Sequence, residues 1–213
     1  MSKDMLGIAV RKLVTLPVSS LGIICDLLEK ISDPQWVEAT KRFLRKENPW
    51  VKQWLWRKID ENTIEVNLDF PVKLPFEEAE LRVWKKCSGL VIVKRIGEDL
   101  FIDDRKIILH FEIEQNSGTI PGSTLLTRLV EKDVLHPNIL DALLENTHLI
   151  PNSFKKDKDG NIQIVFFWAV GFRDGNGVVC IRCLHFDDGR WGWDYGWLDN
   201  GFDDQCPAVL LAS

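Results

Sequence analysis

The chain has 213 residues, nine of them Trp, with 45% hydrophobic residues and a net charge of -5. That much apolar side chain can build a core and excludes a disordered chain, and the modest net charge gives no global pull toward nucleic acid. The charge is uneven: residues 1–60 carry 11 Lys/Arg against 7 Asp/Glu, and the last 27 hold only Arg190 against six aspartates.

Arg11 and Lys12 followed by the apolar run Leu13–Ile24 and Cys25 imitate a lipoprotein signal. Ile24 stands where cleavage before a lipidated Cys needs a small residue. Pro17 and the Ser19–Ser20 pair also break a run too short to span a bilayer. A cytoplasmic protein without a membrane partner is expected. Five scattered cysteines (Cys25, Cys87, Cys180, Cys183, Cys206) give no disulfide framework and fit a reducing compartment.

Leu21, Ile24, Leu28 and Ile31 follow the spacing of one helix face. Asp33 and Pro34 open a second helix, and Pro49 stops it after Arg45 and Lys46. Residues 1–49 thus read as a helical segment. After Pro49 the period changes, and residues 50–213 read as an α+β domain built on an antiparallel sheet. Trp50–Ile59 and Thr63–Phe70 bracket a hairpin turn at Asp60-Glu61-Asn62. A Pro loop (Pro71–Pro75) leads to a short helix holding Glu77, Glu78 and Glu80. Strands follow at Gly89–Ile96 and Arg105–Glu114, with Gly97 and Asp103-Asp104 turning the chain. Ile107, Leu109, Phe111 and Ile113 supply the inner face of the latter. Two short helices are expected at about Ser123–Lys132 and Pro137–Asn146. Ile162–Leu198 reads as a three-stranded antiparallel β-meander, turned at Arg173–Gly177 and Asp187-Asp188-Gly189.

Several chemical motifs fail on physical grounds. His110-Phe111-Glu112 with Cys180-Ile181-Arg182-Cys183 echoes the zinc signature of nucleobase deaminases. Val179 replaces its proline, however, and residues three apart in a strand point to opposite faces. No metal and no cofactor are expected. His110, Glu112 and Glu114 could share a strand face for metal or acid–base chemistry, but a solvated edge explains them as well. Asp157-Lys158-Asp159-Gly160-Asn161 hints at a calcium loop, yet Phe166 falls where the last carboxylate ligand belongs, so it reads as a turn. Asp199, Asp203 and Asp204 form a loose carboxylate group in a polar loop. The helix pair around Val134–His136 has a helix-turn-helix outline, but Asp141 and Glu145 on its second helix would repel phosphate.

Two stretches remain as candidate sites. Trp191, Trp193, Tyr195 and Trp197 alternate with Gly192, Asp194 and Gly196, so the four rings share one face of a strand. Such rings form a core when covered and a binding surface for a partner when exposed. Lys41, Arg42, Arg45, Lys46, Lys52, Arg57 and Lys58 lie among Trp50, Trp54 and Trp56, the mixture that single-stranded nucleic acid requires. The leading expectation is a non-enzymatic protein- or peptide-binding module using the aromatic strip. Nucleic-acid association through 41–58 is the alternative, and a zinc-dependent deaminase-like enzyme ranks a distant third.

The stretches Trp36–Trp50, Asn138–Asn146 and Phe166–Ala208 resemble a family of uncharacterised proteins from uncultured candidate-phylum bacteria. The resemblance implies a bacterial origin and carries no activity or functional residue.

Overall fold

The computed structural model describes residues 10, 12, 14–30, 32–44, 54–157 and 159–212. The chain divides into two compact units, Met1–Val51 and Lys52–Ser213. The first contains α1 (Val18–Lys30) and α2 (Pro34–Leu44). Pro34 takes the first position of α2, where a missing N–H loses no bond, and the Asp33 carbonyl accepts the Val37 N–H at 3.1 Å. Lys30 at the end of α1 sits 4.6 Å from the Trp36 ring.

The second unit is organised by a mostly antiparallel sheet, ten-stranded among the described residues. β1 (Trp56–Asp60) and β2 (Thr63–Asn67) turn at Glu61-Asn62, where the Asn62 N–H donates to the Asp60 carboxylate at 2.9 Å. β2 then pairs with β4 (Leu90–Ile96) and is buried at every position. Between them the expected helix after Pro75 is replaced by a strand, β3 (Glu80–Val83), paired antiparallel with β8 (Ile164–Arg173). Glu78 at φ 65° ends any helical start, and pairing with a long buried strand outweighs the helix preference of three glutamates.

β4 continues into β5 (Asp99–Ile102) and β6 (Arg105–His110) through turns with positive φ at Gly97, Asp103 and Asp104. The strand expected over Arg105–Glu114 stops at His110, and Ile113–Asn116 forms a 3-10 turn. Gln115 explains the break. It is buried, accepts the Glu112 N–H at 2.8 Å, and donates to the carbonyls of Asp203 (2.8 Å) and Cys206 (3.0 Å). Ile113, expected in the core, therefore lies 82% exposed.

A small ladder of β7 (Ile120–Pro121) with β11 (Gly201–Phe202) precedes α3 (Gly122–Leu129) in space. A Cβ at Gly122 would sit 2.8 Å from the Leu198 carbonyl oxygen, so only glycine fits there. α4 (Pro137–Glu145) packs on β2, β8 and β9 (Val179–Asp187). The chain then runs antiparallel through β8, β9 and β10 (Arg190–Trp197). Its last strand, β12 (Ala208–Leu211), lies between β6 and β8, antiparallel to the first and parallel to the second, and joins the two halves of the sheet. The order is β1-β2-β4-β5-β6-β12-β8-β9-β10, with β3 also on β8. β1 and β10 are the two ends.

Candidate functional site

The turn before β10 sets its geometry. Asp188 and Gly189 have φ of 47° and 77°, two successive left-handed residues that match the twist of a two-residue hairpin. Eight consecutive pairs then run from Arg190↔Asp187 to Trp197↔Cys180 with no shift of register. Just beyond them the Leu198 N–H donates to the Val179 carbonyl at 2.8 Å. In an antiparallel ladder, residues that bond inward alternate with residues whose main-chain groups face away. Counting back from Leu198, residues 196, 194, 192 and 190 bond to β9. The N–H and C=O groups of Trp191, Trp193, Tyr195 and Trp197 therefore face the open edge.

Some outward groups are already engaged. The Tyr195 N–H donates to the Asp194 carboxylate at 2.8 Å, and the Trp197 carbonyl accepts from the Asn200 N–H at 3.0 Å. The N–H groups of Trp191, Trp193 and Trp197 meet no acceptor among the described residues. The opposite end of the sheet is different. β1 carries Arg57, Lys58 and Asp60 in five residues and shifts register between Lys58 and Asp60, two devices that discourage further pairing. β10 has no lysine, no proline and no bulge.

All four rings of the strip are half-buried. Trp191 meets Phe186 edge-on at 5.1 Å, and Trp197 stacks with Phe76 at 6.0 Å. The faces of the first two rings carry the protein's own cations. Lys155 lies 5.8 Å from Trp191, while Lys73 (5.1 Å) and Arg182 (4.5 Å) lie over Trp193. Trp191 and Trp193 thus each already hold a cation of the protein against the ring, where a base or sugar would stack. Beneath the strip, fully buried Arg182 of β9 donates two bonds to Asp141 of α4, at 2.8 and 2.5 Å, and a third to the Lys73 carbonyl at 3.3 Å. A groove of about 410 Å³ opens beside this pair, walled by Phe70, Pro71, Lys73 and Leu144. Lys73 is common to the groove and to Trp193.

On the other face Gly192 and Gly196 leave no bulk above β10. A Cβ at Gly196 would lie 2.9 Å from the Phe166 ring, so Phe166, with Trp168 and Phe202 against it, packs up under the strand.

α4 starts at a titratable cap. The His136 Nδ1 accepts the Asn138 N–H at 3.2 Å, and the Asn138 amide holds the carbonyls of Asn67, Leu68 and Phe70 at 2.8–3.3 Å. Burial pushes the His136 pKa down from 6.5 to about 4, against the pull of Asp141 and Asp69. The folded state thus disfavours the proton, so this group's stabilisation is complete above pH 6.5 and is lost as pH falls toward about 4. Chemical unfolding at pH 7 and pH 4.5 is expected to show a loss on the order of 2–3 kcal/mol from this residue. His136→Asn, which keeps a capping acceptor, is expected to remove that part of the pH dependence.

The other sequence candidates take structural roles. Cys180 and Cys183 are buried, and their apolar surroundings push the Cys180 thiol up to about 12 and Cys183 higher still. Neither supplies a thiolate at neutral pH. His110, Glu112 and Glu114 do not share a strand face, because β6 ends at the first of them. His110 meets Glu112 at 2.9 Å, and Arg128 clamps Glu114 with two bonds of 2.6 Å, which holds that carboxyl down at about 2. Asp157 accepts from the main chain of Asp159 and Asn161 and closes its own turn. Among the described residues no three His, Cys, Asp or Glu side chains are grouped to hold a metal ion.

The basic stretch is dispersed. Arg45, Lys46 and Lys52 lie outside the described residues. Lys41 and Arg42 belong to α2, and Arg57 and Lys58 to β1. Lys41 pairs with Glu38 at 3.6 Å, Arg57 with Glu65 at 2.7 Å and Lys58 with Glu61 at 2.6 Å. Sequence reasoning missed Arg182, although a lone cation in the apolar run Val178–Leu184 is a signal of a buried ion pair.

No protein-family model, curated protein or solved structure matches the chain. No helix among the described residues is long and apolar enough to cross a membrane.

Proposed function

We propose that the protein is a non-enzymatic binding module that takes an extended segment of a partner protein as an added strand on the open edge of β10. The observation that carries this reading is the row of outward main-chain groups at Trp191, Trp193 and Trp197, on an edge without the lysine and the register shift of β1. An added strand finds its affinity in main-chain bonds and its selectivity in alternate side chains. On one face those side chains would lie beside the four half-buried rings, which favours aliphatic residues. On the other they would lie beside exposed Asp194, which favours cations.

An alternating lysine–valine octapeptide combines both preferences. Titration followed by tryptophan fluorescence is expected to give saturable binding, weakened at least tenfold by N-methylation of alternate peptide bonds. Asp194→Lys is expected to weaken this peptide and to strengthen binding of an alternating glutamate–valine peptide. Equal affinity for the methylated and unmethylated peptides would remove the strand-addition reading.

A further inference from the structure

A second hollow, of about 500 Å³, has no β10 residue in its lining and has a different chemistry. Leu109 and Phe111, at and just past the end of β6, give it an apolar wall, and Asp157, Asp159 and Asp204 give it negative charge against Lys156. Gln163 also lines it. This residue is only 4% exposed, its main-chain N–H is tied to the Lys155 carbonyl at 3.1 Å, and its side-chain Oε1 is buried with no hydrogen-bond donor among the described residues. A desolvated acceptor without a donor is rare in a folded protein and marks a place where water or a ligand supplies the bond.

The three carboxylates differ in what they can give. Both Asp157 oxygens are occupied within its turn, by the N–H groups of Asp159 and Asn161 and by the Asn161 amide, so Asp157 contributes charge alone. The side chains of Asp159 and Asp204 meet no hydrogen-bond or ion-pair partner among the described residues. One unmet acceptor, two available carboxylates and a net negative wall call for a ligand that donates several hydrogen bonds and carries positive charge. An alkylammonium group does both. A metal ion fits less well, since no three ligating side chains are grouped for it among the described residues and Leu109 and Phe111 offer it nothing.

We propose that this hollow binds an aliphatic primary ammonium, its head on Gln163 Oε1 between Asp159 and Asp204 and its alkyl chain along Leu109 and Phe111. The same chemistry is carried by a free diamine and by a lysine side chain. Calorimetric titration of the full chain with cadaverine, and separately with Nα-acetyl-lysine methylamide, tests the site and tells the sources apart. Both probes are too small to pair with β10, so the result is independent of strand addition. Saturable binding of either, weakened at least tenfold by Gln163→Met and several-fold by Asp204→Asn, is the expected outcome. Magnesium chloride at equal charge concentration is expected not to compete. Asp204 is exposed, so Asp204→Asn keeps the test decisive if Gln163→Met does not fold. No saturation with either amine, or affinities unchanged in both variants, would mean that water alone meets Gln163 and would overturn the proposal.

Discussion

Arg182→Met is expected to lower the unfolding free energy by about 3–5 kcal/mol, because it strands the Asp141 carboxylate under α4 without its partner. Arg182 is fully buried and supplies two bonds to Asp141, one to the Lys73 carbonyl and a cation over Trp193. One substitution therefore loosens α4, the 70–76 segment and the ring face of β10 together. The pair itself is a different quantity from the loss of one partner. Two charges brought out of water regain little more than they lose, so Arg182→Met combined with Asp141→Leu is expected to recover most of the stability. Urea unfolding of the single and double variants measures both. Equal losses in the single and the double variant would show that packing around Arg182, rather than the stranded charge, is responsible.

The other face of β10 depends on Trp168. Its side chain is fully buried in β8, 5.4 Å from the Phe202 ring and 6.3 Å from Phe166, the ring that fills the space under Gly196. Trp168→Ala is expected to cost about 3–5 kcal/mol by leaving a cavity that these rings cannot close. The Trp168 Nε1 is buried and meets no acceptor among the described residues. Trp168→Phe is therefore expected to cost much less, about 1 kcal/mol, since removing an unmet donor offsets part of the lost volume. Thermal or urea unfolding of the two variants checks the ranking.

The mixed helix and antiparallel-sheet class was legible in the change of hydrophobic period after Pro49. Local chemistry made α4 legible too: Pro137 suits a first turn, and Ile139, Leu140 and Leu143 keep helical spacing. What was not legible depends on contacts distant in sequence. β5 has four residues and β12 has four, too few for a period to declare itself, and β12 is a strand because β6 and β8 flank it. Glu77, Glu78 and Glu80 give the segment around β3 a helical look, and β3 is extended because β8 offers it an edge. The alternation continues through Ile113, but β6 ends at His110 because Gln115 interrupts it by binding carbonyls about 90 positions later.

The same division applies to the site. Alternation put four rings on one face, but not which main-chain groups face outward, since that depends on the register with β9. The cations on Trp191 and Trp193 come from Lys73, Lys155 and Arg182, each outside β10. They turn what looked like a stacking platform into a supported edge. Gln163 gave no signal at all in the sequence, because an unmet acceptor is a property of surroundings.

Hydrogen–deuterium exchange resolved at single amides of β10 tests the central claim most directly. In the free protein the amides of Trp191, Trp193 and Trp197 are expected to exchange fast, while those of Gly192, Asp194 and Gly196, bonded to β9, exchange slowly. With the lysine–valine octapeptide near saturation, the three fast amides are expected to become protected. If they stay fast while the peptide is bound, the partner does not add to the sheet at β10 and the proposed function is contradicted.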